Sequence, residues 1–143
     1  MSGQDFMRIV REAFVPFLMR LGFSMENPSI SGRFYRASFT SPKHAVSVSY
    51  EPGDNALFVM VFSRENGHQS SIDDRIRTPR LSDLNSRYMD TITEEERSNN
   101  ELMFPSTPIR DDEERLLLKS AKELSLVLPK YLSDRNPAAD AGT

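Results

Sequence analysis

His44 and His68 are the only imidazoles in this chain, and it contains no cysteine. A metal centre needs three or four nitrogen, sulfur or carboxylate ligands at ordered spacing, and neither histidine has such company nearby in the sequence. The absence of cysteine excludes disulfides, thiolate metal sites and cysteine nucleophiles. Serine is plentiful, yet neither a Gly-x-Ser-x-Gly elbow nor a Ser-x-x-Lys pair occurs. The phosphate-cradling patterns Gly-x-x-x-x-Gly-Lys-Ser/Thr and Gly-x-Gly-x-x-Gly are also missing. The acids Asp111-Asp112-Glu113-Glu114 hold enough oxygen for a magnesium ion, but successive helical residues point about 100° apart and do not converge. Complementing the positive end of a helix is the better reading for them, and equally for Glu94-Glu95-Glu96. Arg75, Arg77 and Arg80, with Arg33 and Arg36 around Phe34, have the arginine-and-aromatic composition that grips phosphates and stacks on bases. Asp73, Asp74 and Asp83 dilute that field, so ordinary surface charge is preferred. The chain is therefore not read as an enzyme, and no catalytic residue, metal or cofactor is expected.

The elements that would carry these residues follow from periodicity. Phe6, Ile9, Val10, Ala13, Phe14, Phe17, Leu18 and Leu21 recur at spacings of three and four, so they share one helical face. Gly22 suits the left-handed residue that closes such a helix. Pro16 removes a backbone donor and predicts a kink or a division into two helices. Residues 24–32 read as a polar, turn-rich stretch. Tyr35, Ala37 and Phe39, then Val46, Val48 and Tyr50, alternate with polar residues as strands with one buried face do. Proline and glycine in the connections 41–43 and 51–55 predict antiparallel hairpins. Residues 63–78 read as a long loop. A short helix is expected from Pro79, with Thr78 as its cap. Thr93 with Glu96, and Asp111 with Glu114, have capping-box spacing, predicting helical turns over 94–103 and a long C-terminal helix. Residues 104–110 should break the chain between these two helices. Pro129 is expected to end or bend the last one.

The expected fold is thus α+β: an N-terminal helix, a three-stranded antiparallel meander, short helices and a long C-terminal helix. A single domain over 1–132, with a disordered tail over 133–143, suits a chain of 143 residues. The N-terminus carries no secretory pattern. The longest apolar run, 56–62, is too short to span a bilayer. A cytoplasmic protein without a membrane partner is the plain reading. Net charge is −3, and the acid excess lies in the C-terminal half, which disfavours nucleic acid as a partner.

The strand 56–62 breaks the alternation because both of its faces are apolar. With Tyr50 opposite Leu57, the residues Leu57, Val59 and Val61 join the core. Phe58, Met60 and Phe62 are then left on the other face, and a register slip of one residue would exchange the two sets. If no helix covers that face, those three form a protein-binding or self-association surface. The expected contact residues are Phe58, Met60 and Phe62, together with the acids Glu94, Glu95, Asp112 and Glu113.

The run Phe14-Val-Pro-Phe-Leu-Met-Arg-Leu-Gly-Phe23, then Phe34-Tyr-Arg36, and the strands Val46–Tyr50 and Phe58–Phe62 together resemble a loose group of small bacterial proteins. A number of these look like immunity proteins encoded beside polymorphic or contact-dependent toxins. The resemblance covers roughly residues 6–64 and carries over no functional residues. It implies a cytoplasmic inhibitor that binds a toxin domain. The acidic C-terminal part would complement a basic one. A small-ligand-binding or regulatory domain, and a homodimer pairing through its sheet, are the alternatives.

Overall fold

The computed structural model describes residues 1–104 and 106–135. The N-terminal helix runs as α1 Gly3–Ile9, a π turn Val10–Phe14, and α2 Val15–Arg20. Pro16 accounts for the π turn. It has no N–H to donate, and its ring crowds the carbonyl four residues back. The widened turn just before it lets the Val15 N–H reach the Val10 carbonyl instead. The helix therefore neither ends nor divides, and its apolar stripe from Phe6 to Leu18 stays buried. Gly22 closes it at φ +92°. The Phe23 N–H bonds the Leu18 carbonyl at 2.9 Å and the Gly22 N–H bonds Met19 at 3.0 Å, a Schellman closure.

The antiparallel meander is β3 Tyr35–Thr40, β4 His44–Glu51 and β5 Ala56–Glu65. Its register places Val48 opposite Val59 and Tyr50 opposite Leu57. Three short strands extend it beyond the expected three. β1 Ser24–Met25 and β2 Ser29–Ile30 pair with β3, and β6 His68–Gln69 pairs with β5. The polar stretches 24–32 and 63–78 are therefore not plain loops. Backbone pairing at a sheet edge needs no apolar side chain, so it leaves no periodic trace.

Asn66 (φ +52°) and Gly67 (φ +78°) make the two-residue turn into β6; two left-handed residues there match the twist of the flanking strands. The chain then returns along the same edge of β5. The Ser63 N–H bonds the Arg77 carbonyl at 3.1 Å, the Val61 N–H bonds Pro79 at 3.0 Å, and Met60 lies opposite Arg80. This extended stretch delays helix α3 to Leu81–Tyr88. Asp83 caps it by accepting from the Arg80 N–H at 2.9 Å, so Pro79 and Thr78 do not hold the helical positions expected for them.

Helix α4 Glu94–Leu102 opens with the reciprocal Thr93–Glu96 bonds of a capping box. Helix α5 Asp112–Arg135 starts where Asp111 accepts from the Glu114 N–H at 2.8 Å. Pro129 sits inside α5 without ending it, so residues 133–135 are helical and not part of a tail. The remainder of the expected tail, 136–143, and Pro105 of the expected break lie outside the described residues.

The inner face of the meander and the helices share one core. Ala37, Phe39, Val46, Val48, Val59 and Val61 meet Phe6, Phe14, Leu84, Leu117, Leu124 and Leu128 in it. A largely buried ion pair joins two of the helices. Arg8 of α1 lies 2.7 Å from Glu114 of α5, whose side chain is only 1% exposed. Among the described residues, no helix is long and apolar enough to cross a membrane.

Candidate functional site

Strand alternation turns Phe58, Met60 and Phe62 away from the helices. Only Phe58 is open to solvent there, at 43% exposure. Met60 and Phe62 are buried and form a small second cluster with Ala45, to which no helical residue belongs. This corrects the expectation of a three-residue exposed patch. Small Ala45 faces Phe62 in register and leaves it room. The stretch 77–80 along the edge of β5 adds a wall beside Met60.

Around Phe58 the outer face is floored by small residues. Ser49 lies opposite Phe58 and Ser47 opposite Met60. Arg36, opposite Ser49, holds its guanidinium 5.3 Å from the centre of the Phe34 ring. Ser47 and Ser49 are themselves buried, so Phe58 is the exposed apolar residue of this strand.

The four expected acids do not form one patch. Glu94 and Glu95 are exposed at the start of α4, where the next acid, Glu96, pairs with Lys130 at 3.3 Å. Asp112 and Glu113 open α5, about 27 Å away along that helix at 1.5 Å per residue. Asp112 pairs with Arg115 at 3.1 Å and is nearly fully exposed. Burial, followed by the charges of Glu113 and Asp111, pushes the Tyr50 phenol above its usual range. Asp112 and Glu113 open a helix that packs on the inner face of the sheet with Tyr50, whereas Phe58 lies on the outer face.

The opposite end of the sheet carries a feature that spacing in the sequence did not disclose. A cavity of about 650 Å³ opens between the β3–β4 turn, the β5–β6 hairpin and the last turn of α5. Lys43, Arg64, Arg77 and Arg135 line it, with Glu65 as the one carboxylate among the described residues. Both histidines line it as well. The core-facing alternation explains part of this convergence: beyond Val46 and Val61 it continues into His44 and Ser63, which are register partners.

Several bonds fix the walls. The His44 ring meets the Tyr131 ring edge-on at 5.9 Å. Arg135 lies 5.4 Å over that same ring and donates to the Ile76 carbonyl at 3.1 Å. Arg64 donates to the Ser41 carbonyl at 2.7 Å. The hydroxyls of Ser63 and Ser70 both reach the Arg77 carbonyl at 3.2 Å. Burial first, then the charges of Arg135 and Lys43, hold the His44 imidazole below its ordinary pKa. The arginines once grouped as 75, 77 and 80 separate. Arg75 pairs with Asp83 at 3.1 Å, and Arg80 donates to the Thr78 and Ile72 carbonyls. Arg77 reaches the cavity. The Asn66-Gly67 turn was the one local signal that could have placed His68 back beside Glu65.

Among the described residues, no group of three or more histidines, aspartates or glutamates is placed to hold a metal ion. No protein-family model, curated protein or solved structure matches the chain significantly.

Proposed function

We propose that this chain is a non-catalytic protein-binding module of the immunity type, acting in the cytoplasm. Its contact surface is the outer face of the sheet around Phe58, with Arg36 and Phe34 beside it. The observation that carries this reading is Phe58, an aromatic side chain 43% exposed at a mid-strand position of the outer face. A large ring on a rigid strand loses little conformational freedom on binding, and aromatic residues dominate interface energetics. The acid excess of the C-terminal part favours a partner with a basic surface, such as a nuclease-type toxin domain. Glu94 and Glu95 are remote from this surface and serve the α4 terminus.

Affinity capture from the native host, run in parallel with wild type and Phe58→Asp, tests the reading. A specific partner should be retained by the wild type. It should be weakened about thirtyfold or more by the substitution, which corresponds to a hot spot of about 2 kcal/mol. Equal capture by both proteins removes Phe58 from the interface. Sedimentation tests the self-association alternative: a dimer that Phe58→Asp dissolves makes the partner a second copy of this chain.

A further inference from the structure

We infer that the cavity between the β3–β4 turn, the β5–β6 hairpin and the end of α5 binds a phosphate-bearing small ligand of about nucleotide size. The lining sets the three guanidinium groups of Arg64, Arg77 and Arg135 against one carboxylate among the described residues, Glu65, an excess of positive charge on a chain whose net charge is negative. Among the described residues, Arg64 and Arg135 bond only neutral oxygens: the Ser41 carbonyl for the first, the Ile76 carbonyl and Tyr131 hydroxyl for the second. No carboxylate among the described residues pairs with either of them. Arg77 has only Asp74, at 3.9 Å and with both groups well exposed. Such exposed contacts neutralise little.

The arrangement favours phosphate over a carboxylate. The guanidinium groups belong to three separate elements: β5, the returning stretch after β6, and α5. A carboxylate satisfies one arginine fork, whereas a phosphate spreads its oxygens over several. The cavity, about 650 Å³, lies within the range of small-ligand sites, roughly 300–1,000 Å³, and exceeds what a bare phosphate ion fills. Preorganisation supports the same assignment. Two hydroxyls hold the Arg77 carbonyl, and the Tyr131 ring carries both His44 and Arg135.

This inference stands apart from the sheet-face reading, and its test keeps the two distinct. The full chain is titrated with AMP, inorganic phosphate, pyrophosphate, citrate and a short oligonucleotide, followed by calorimetry and amide NMR at low ionic strength. AMP should bind saturably, with shifts concentrated at His44, residues 63–70, Arg77 and Arg135. Arg135→Gln and the double variant Arg64→Gln/Arg77→Gln should each weaken AMP at least about tenfold, as expected for charge-assisted bonds. Arg11→Gln removes one charge from an exposed position on the N-terminal helix and should leave affinity unchanged, as should Phe58→Asp. Should Arg135→Gln disturb folding through Tyr131, the double variant decides. The inference is overturned if none of the phosphates binds, or if citrate binds as tightly as AMP. It is equally overturned if Arg11→Gln weakens AMP as much as the cavity variants do, or if only an oligonucleotide binds.

Discussion

Replacing Arg8 with alanine should be among the most destabilising single changes in this protein, because it strands a buried carboxylate. Glu114 is 1% exposed and lies 2.7 Å from Arg8, whose own side chain keeps 26% exposure. Removing one partner of a buried pair costs about 3–5 kcal/mol, since the remaining charge is neither hydrated nor compensated. The converse change is milder. In Glu114→Gln the amide oxygen still accepts from Arg8, which retains Asp5 at 3.6 Å and the Pro108 carbonyl at 3.0 Å. Its cost should be about 1 kcal/mol, that of an ordinary hydrogen bond. A domain near this size loses roughly 2–4 °C of melting temperature per kcal/mol. Arg8→Ala should therefore lower Tm by roughly 6–20 °C and Glu114→Gln by roughly 2–4 °C. Converting both residues to methionine should be close to neutral, because the desolvation cost disappears with the charges. Urea unfolding at neutral pH with a thermal scan measures all four proteins. A loss below about 1 kcal/mol for Arg8→Ala, or a larger loss for Glu114→Gln than for Arg8→Ala, refutes the reasoning.

Three further outcomes are expected. Met60→Asp should unfold or strongly destabilise the domain while Phe58→Asp leaves circular dichroism and Tm nearly unchanged, since Met60 is 7% exposed and Phe58 43%; equal stability of the two variants contradicts the assigned faces. His44 is held below 6.5 in the folded chain, so the unfolded chain takes up its proton first as the pH falls. Its contribution is complete above about 6.5 and is lost on descending toward the folded pKa. His44→Gln should flatten that part of the urea-midpoint profile, and a wild-type midpoint that rises on acidification would count against it. Gly22→Ala should cost about 1–2 kcal/mol because φ is +92° and an L-residue is disfavoured there. Gly32→Ala, in open space without a positive φ, should be nearly silent in the same unfolding assay.

The elements were legible where burial imposes a period. The stripe from Phe6 to Leu21, the alternation in β3 and β4, and the capping spacings Thr93–Glu96 and Asp111–Glu114 each record a local rule. The register of β5 was not fixed by its sequence, because both of its faces are apolar and a slip of one residue exchanges them; the pairing of Val48 with Val59 decides it in the fold. Local rules said less about proline. At Pro16 and Pro129 tertiary packing retains the helix, in the first case through a π turn, although propensity alone predicts an interruption. They were silent about β1, β2 and β6, whose edge pairing depends on backbone donors and acceptors and not on side-chain type.

Exposure was likewise a tertiary matter. Met60 and Phe62 have the same alternation as Phe58, yet Ala45 and the returning stretch 77–80 bury them and leave Phe58 open. The cavity shows the limit most clearly: His44, Arg64, Arg77 and Arg135 come from distant parts of the chain. Composition determined that these charges and rings exist. Only the folding of strand ends, hairpin and helix terminus against one another decided that they meet, because electrostatic and packing neighbours are set by distance in space.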